Sequence, residues 1–129
     1  MLLVDSAPMM RGVLGGVLRQ LGYRVMEASG ALGAQKLAAT RGEIDLLLLD
    51  LPGSDRGDLQ LALWFHGMYP KTKILIATAS LWDLNCHVGQ SPQFACLAKP
   101  FTPHELARVI RRVLEQESGN RSRASTLAR

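Results

Sequence analysis

Short, wholly apolar runs alternate along this chain with apolar residues at helical spacing. Leu2-Leu3-Val4, Leu46-Leu47-Leu48-Leu49, Ile74-Leu75-Ile76-Ala77 and Cys96-Leu97-Ala98 contain no polar position, as strands covered on both faces do. Met10, Val13, Leu14, Val17, Leu18 and Leu21 recur at i, i+3, i+4 and i+7, predicting a first helix from near Pro8 to Gly22 with those six as its apolar stripe. Gly12, Gly15 and Gly16 fall off that stripe and belong on or beside the outer face, although each costs about 1 kcal/mol in a helix interior.

Tyr23 to Ala28 reads as a second strand and Leu32 to Ala39 as a small alanine-rich helix. The leucine run predicts a central strand over Asp45 to Leu49. Leu51-Pro52-Gly53-Ser54-Asp55-Arg56-Gly57 is dense in turn residues and must be a loop. Helix resumes from about Asp58 to Gly67, and Lys73 to Ala77 and Phe94 to Ala98 complete the strands. Leu81 to Gly89 allows only a short helix, because Gly89-Gln90-Ser91-Pro92 interrupts it. The last helix has the sharpest boundary: Thr102 as N-cap, Pro103 at the first helical position and Glu105 three residues after the cap form a capping box. Leu106, Val109, Ile110, Val113 and Leu114 supply its buried stripe. Five strands alternating with helices predict an α/β fold, a doubly wound parallel sheet in the flavodoxin-like order 2-1-3-4-5 with helices on both faces.

A chain of 129 residues, 47% apolar and 20% charged, suits one domain with a single core. We place that domain at residues 1–115 and a disordered basic tail at 116–129, where apolar residues are too few to bury. Cys86 and Cys96, without CxxC spacing or a secretory signal, point to a reducing cytoplasm and away from a disulfide framework or zinc site. No run approaches the roughly 20 apolar residues of a membrane span. The net charge of +4 raises the question of nucleic acid, but much of it sits at Arg108, Arg111, Arg112 and in the tail, with no recognition helix or aromatic interleaving. Direct nucleic-acid binding is not expected.

The chemistry lies where the strand-like runs end. Asp5, Asp50, Thr78 and Lys99 each follow one of them, and in a parallel sheet the C-terminal strand ends share an edge. Two carboxylates brought together repel unless a cation sits between them, and hard oxygen ligands suit Mg²⁺. An ammonium and a hydroxyl suit a phosphoryl group.

In Leu3-Val4-Asp5-Ser6-Ala7-Pro8, Asp45-Leu46-Leu47-Leu48-Leu49-Asp50, Thr78-Ala79 and Lys99-Pro100-Phe101, in that order and spacing from Leu2 to about Leu114, the chain resembles the receiver domain of two-component response regulators and hybrid histidine kinases. The resemblance implies that Asp50 accepts a phosphoryl group from a histidine kinase or histidine phosphotransfer protein. It implies that Asp5, Asp50 and the carbonyl of Pro52 hold Mg²⁺, that Lys99 and Thr78 hold the phosphoryl oxygens, and that the chain is not otherwise an enzyme. It also implies that the region of the three glycines helps dock the histidine-bearing partner; a homodimer is left open. The short first strand favours a receiver cut from a hybrid kinase over a stand-alone regulator.

Three positions depart from the family pattern. A second acid usually follows the first, and here it is Ser6, which ligates Mg²⁺ weakly or through water, so metal binding is expected to be at least 10–100-fold weaker. The loop after Asp50 is one residue short, with Pro52 arriving early and restricting Leu51. Cys96 stands where receivers carry a switch Tyr or Phe that moves with the hydroxyl of Thr78, so the switch must be muted or use Trp82 or Phe101. These departures leave one alternative: a degenerate receiver, serving as an interaction module that signals without phosphate.

Overall fold

The computed structural model describes residues 1–50, 56–79 and 94–116. Its strands are β1 (Leu2–Val4), β2 (Met26–Ala28), β3 (Leu46–Asp50), β4 (Lys73–Thr78) and β5 (Phe94–Ala98). The described helices are α1 (Pro8–Gln20), α2 (Ala31–Arg41), α3 (Arg56–Met68) and α4 (Pro103–Glu115). All strand pairs are parallel, and the sheet runs β2-β1-β3-β4-β5, the doubly wound order expected. The short helix expected over Leu81 to Gly89, most of the loop after Asp50 and the tail from residue 117 lie outside the described residues.

Both sheet faces are covered, and β3 faces both. Leu47 and Leu49 join Leu2, Val4, Ile74 and Ile76 under α2 and α3, where Ala34, Ala38, Leu61 and Phe65 pack. Leu46 and Leu48 join Leu3 and Leu75 under α1 and α4, against Leu14, Leu18, Leu106 and Ile110. Every residue of β3 is buried, Asp50 included.

Two sequence signals account for the helix ends that aim the site. The capping box of α4 is complete: the Thr102 hydroxyl accepts from the Glu105 N–H (3.0 Å) and the Glu105 carboxylate from the Thr102 N–H (2.8 Å). Helix α1 stops in a Schellman turn, with the Gly22 N–H on the Arg19 carbonyl (3.0 Å) and the Tyr23 N–H on that of Leu18 (3.1 Å). Gly22 takes φ of 100° there, a conformation costly for any residue with a Cβ.

Several boundaries differ from expectation. β2 starts at Met26, not Tyr23, because β1 offers partners only to Met26, Glu27 and Ala28; Tyr23 and Val25 pack instead on the α1–α4 side. α2 and α3 are each longer than expected, and Asp50 is itself the last residue of β3. The stripe of α1 is covered over part of its length: Leu14 and Leu18 are buried, Met10, Val13 and Leu21 are exposed, and the neighbouring Met9 is 83% exposed. Gly12 and Gly16 face open space as expected, but Gly15 is buried, and a Cβ there would lie 2.5 Å from Oε2 of Glu27.

Candidate functional site

Asp5 follows β1, Asp50 ends β3, Thr78 ends β4 and Lys99 follows β5. The register sets Val4 beside Leu49, Asp50 beside Ala77 and Thr78 beside Ala98, so all four residues reach the C-terminal sheet edge. The Lys99 ammonium forms an ion pair with Oδ1 of Asp50. The Lys99 N–H donates to the Thr78 carbonyl at 2.9 Å, and the Lys99–Pro100 peptide bond is cis. Asp5 and Asp50 are only 4% and 5% exposed, and Thr78 is 1% exposed, so the chemistry is sunk below the surface.

Three of the four polar groups of Asp5 are anchored. Its N–H donates to the Ala28 carbonyl (3.1 Å), Oδ1 accepts from the Ala7 N–H (3.0 Å), and its carbonyl accepts from the Arg11 guanidinium (2.8 Å). Oδ2 is buried and has no hydrogen-bond partner. Burial first, and then the Asp50 carboxylate, by hydrogen bonding to the protonated form and by repulsion, raise the Asp5 carboxyl from the usual 3.8 to about 6 against the opposing pull of the Ala7 N–H and Lys99. A buried carboxylate with one orphaned oxygen beside a second carboxylate suits a proton or a cation.

Mg²⁺ fits this donor set. It keeps several waters and needs only one or two carboxylates, which is what Asp5 and Asp50 offer; no group of three or more His, Cys, Asp or Glu suited to a metal occurs among the described residues. Ser6 is exposed next to Asp5. Pro52, the expected carbonyl ligand, lies outside the described residues, as does Trp82. Cys96 is half-buried on β5 against the α2–α3 side, and burial pushes its thiol up, so it packs as a small neutral hydrophobe.

Two parts of the site went unread in the sequence. One is Arg11, whose partners come from other elements. The other is an apolar groove of about 490 Å³ between α1 and α4, lined by Met10, Val13, Val17, Phe101 and Leu106, with Asp50 and Lys99 also in its wall. The helical stripe contained the groove residues, but periodicity names a face without saying what covers it.

No protein-family model matches the chain. Solved structures do. A response regulator receiver domain protein of Clostridium thermocellum is 17% identical with a TM-score of 0.78, over 88% of this chain and 91% of that one. The signal receiver domain of an HD domain-containing protein of Pseudomonas fluorescens Pf-5 is 28% identical, TM-score 0.76, over 88% and 85%. The chemotaxis response regulator CheY4 of Vibrio cholerae is 23% identical, TM-score 0.74, over 87% and 95%. The sheet order, the two-sided core and these likenesses agree: this chain has the fold of response-regulator receiver domains.

Proposed function

We propose that the chain acts in two-component signalling as a phosphoacceptor, with Asp50 the nucleophile toward a phosphohistidine on a histidine kinase or phosphotransfer protein. The observation that carries this reading is the ion pair of Lys99 with Asp50 beside the orphaned Oδ2 of Asp5. A purely structural acid at a strand end needs neither a lysine from another strand nor a second buried carboxylate.

An oxygen of Asp50 attacks phosphorus while the bond from phosphorus to the partner's imidazole nitrogen breaks, and the electron pair leaves with the imidazole. Such transfer depends on positioning and charge neutralisation more than on a base. Lys99, already on Asp50, moves its charge to the phosphoryl oxygens, and the Thr78 hydroxyl donates to one of them. Asp5 and Asp50 would hold Mg²⁺, with Ser6 and the Pro52 carbonyl as further oxygen donors. Bound there, the ion offsets the charge of the incoming phosphoryl group. The groove between α1 and α4, with Met9, Met10 and Val13 exposed beside it, gives an apolar partner helix a seat next to Asp50.

The second reading, a receiver that signals without phosphate, draws on Cys96: a small side chain cannot sweep the area of an aromatic ring. Intact-mass analysis after a small-molecule phosphodonor with Mg²⁺ separates the two. The phosphoacceptor gains one phosphoryl group, and the D50N variant gains none. No gain in the wild type, or an equal gain in D50N, overturns the proposal.

A further inference from the structure

Asp5 can present Oδ2 to a ligand only if its main chain is fixed; the Ala28 carbonyl holds its N–H and the Ala7 N–H holds Oδ1, but the β1–α1 loop supplies nothing for its carbonyl. Ser6 and Ala7 are exposed, and the N-cap position of α1 is Ala7, whose side chain can cap nothing. Three residues after Asp5 the chain is already helical, and the first α1 hydrogen bond runs from the Arg11 N–H to the Ala7 carbonyl (2.8 Å). The Asp5 carbonyl is left outside that ladder, and it is the Arg11 side chain that meets it, at 2.8 Å.

Arg11 is itself held. Its Nε lies 3.6 Å from Oε1 of Glu27, and the other oxygen of Glu27 accepts from Arg19 at 2.9 Å. Arg19 in turn donates to the Val25 carbonyl (3.1 Å). Glu27 reaches under α1 because Gly15 has no Cβ, which would otherwise stand 2.5 Å from Oε2. An exposed arginine on a helix gives little stability through a single surface pair. Here two arginines one to three turns into α1 converge on one carboxylate of the edge strand, and one of them continues to the residue that carries the acid pocket.

The geometry points to Arg11 as a positioning residue: seated by Glu27 beneath Gly15, its guanidinium holds the Asp5 carbonyl and so fixes the carboxylate that faces the ion. This rests on the reading of Asp5 as an ion ligand. The sign of its effect distinguishes positioning from plain electrostatics. Arg11 is a cation one peptide group away from the carboxylates, and removing it would by Coulomb's law alone tighten divalent-ion binding. Positioning demands the opposite, a loss of the 10–100-fold size that follows removal of a group orienting a ligand.

The experiment compares wild type, Arg11→Met and Arg11→Lys, using Mn²⁺ as probe by electron paramagnetic resonance, Mg²⁺ by calorimetry, and the Ser6 amide ¹⁵N resonance without metal. The Ser6 nitrogen belongs to the peptide whose carbonyl Arg11 holds, so its shift reports the hydrogen bond directly. Arg11→Met should bind both ions about 10–100-fold more weakly and move the Ser6 resonance, while Arg11→Lys restores most of both. Unchanged or tighter ion binding in a folded Arg11→Met protein overturns the assignment. If wild type binds no ion, the metal reading of Asp5 falls on its own, and the clasp is judged by Ser6: a resonance that moves in Arg11→Met and returns in Arg11→Lys supports it, and one that stays put overturns it.

Discussion

Replacing Asp5 by Asn should stabilise the metal-free protein at neutral pH and do nothing for it in acid. The native fold raises the Asp5 carboxyl from 3.8 to about 6, so the folded state holds a proton that the unfolded chain has released. Stability therefore falls as pH rises from about 4 to 6, and the penalty is complete above that window. At about 1.4 kcal/mol for each tenfold change in proton affinity, the upper bound is about 3 kcal/mol. Solvent reaching the crevice screens part of this, leaving about 1–2 kcal/mol. Asparagine keeps the acceptor for the Ala7 N–H and can donate to Asp50, so the exchange removes charge at nearly constant shape. In chelator at pH 7.5 the midpoint of thermal unfolding should rise by roughly 3–6 °C for each kcal/mol, and the gain should disappear by pH 4. Paired melts of wild type and variant across pH 4 to 8 measure it. An Asp5→Asn protein no more stable than wild type at pH 7.5, or a difference that does not change with pH, refutes the reasoning.

Ser6→Asp adds a third carboxylate beside Asp5 and Asp50, so the variant should melt below wild type in chelator and above it in millimolar Mg²⁺; the same difference in both buffers would place residue 6 away from any metal site. Gly12→Ala and Gly16→Ala, facing open space, should each stabilise by about 1 kcal/mol in chemical denaturation. Gly15→Ala should gain less than either, since its Cβ displaces the Glu27 carboxylate from Arg19; an equal gain at all three positions would show that Glu27 yields without loss.

The sequence made most of the sheet legible because four of its five strands carry short apolar runs too short for a core helix, and it placed the start of α4 to the residue because a capping box satisfies two orphan N–H groups at once. Asp5, Asp50, Thr78 and Lys99 were legible for the same reason: each is the first polar residue after such a run. What escaped was set by distance in the chain. Glu27 comes to Gly15 and Arg11 of α1 from strand β2, and only the packed α1 reveals that one of three glycines sits against a carboxylate while two are bare. Met10 and Val13 obey the helical period that predicts a buried stripe, but the stripe is covered only farther along, at Leu14 and Leu18. The late start of β2 reflects its partner's length, which local propensity does not encode.

The four leucines of β3 carry a hazard that their burial conceals. In most half-buried strands a slip of one residue throws apolar side chains into water, and that penalty holds the pairing in place. In β3 a slip would exchange Leu46 and Leu48 for Leu47 and Leu49 between two equally apolar layers, so the hydrophobic pattern does not resist it. What resists is Asp50. Drawn one step inward it would leave Lys99 and enter the core as an unpaired charge, a far larger cost than any leucine exchange. Asp50 thus doubles as the stop that tells the central strand where to end, and Leu51 beyond it would let an apolar substitute extend the run to six. Asparagine at this position keeps the polar stop, whereas Asp50→Leu would remove the partner of Lys99 and loosen the alignment of the whole sheet together.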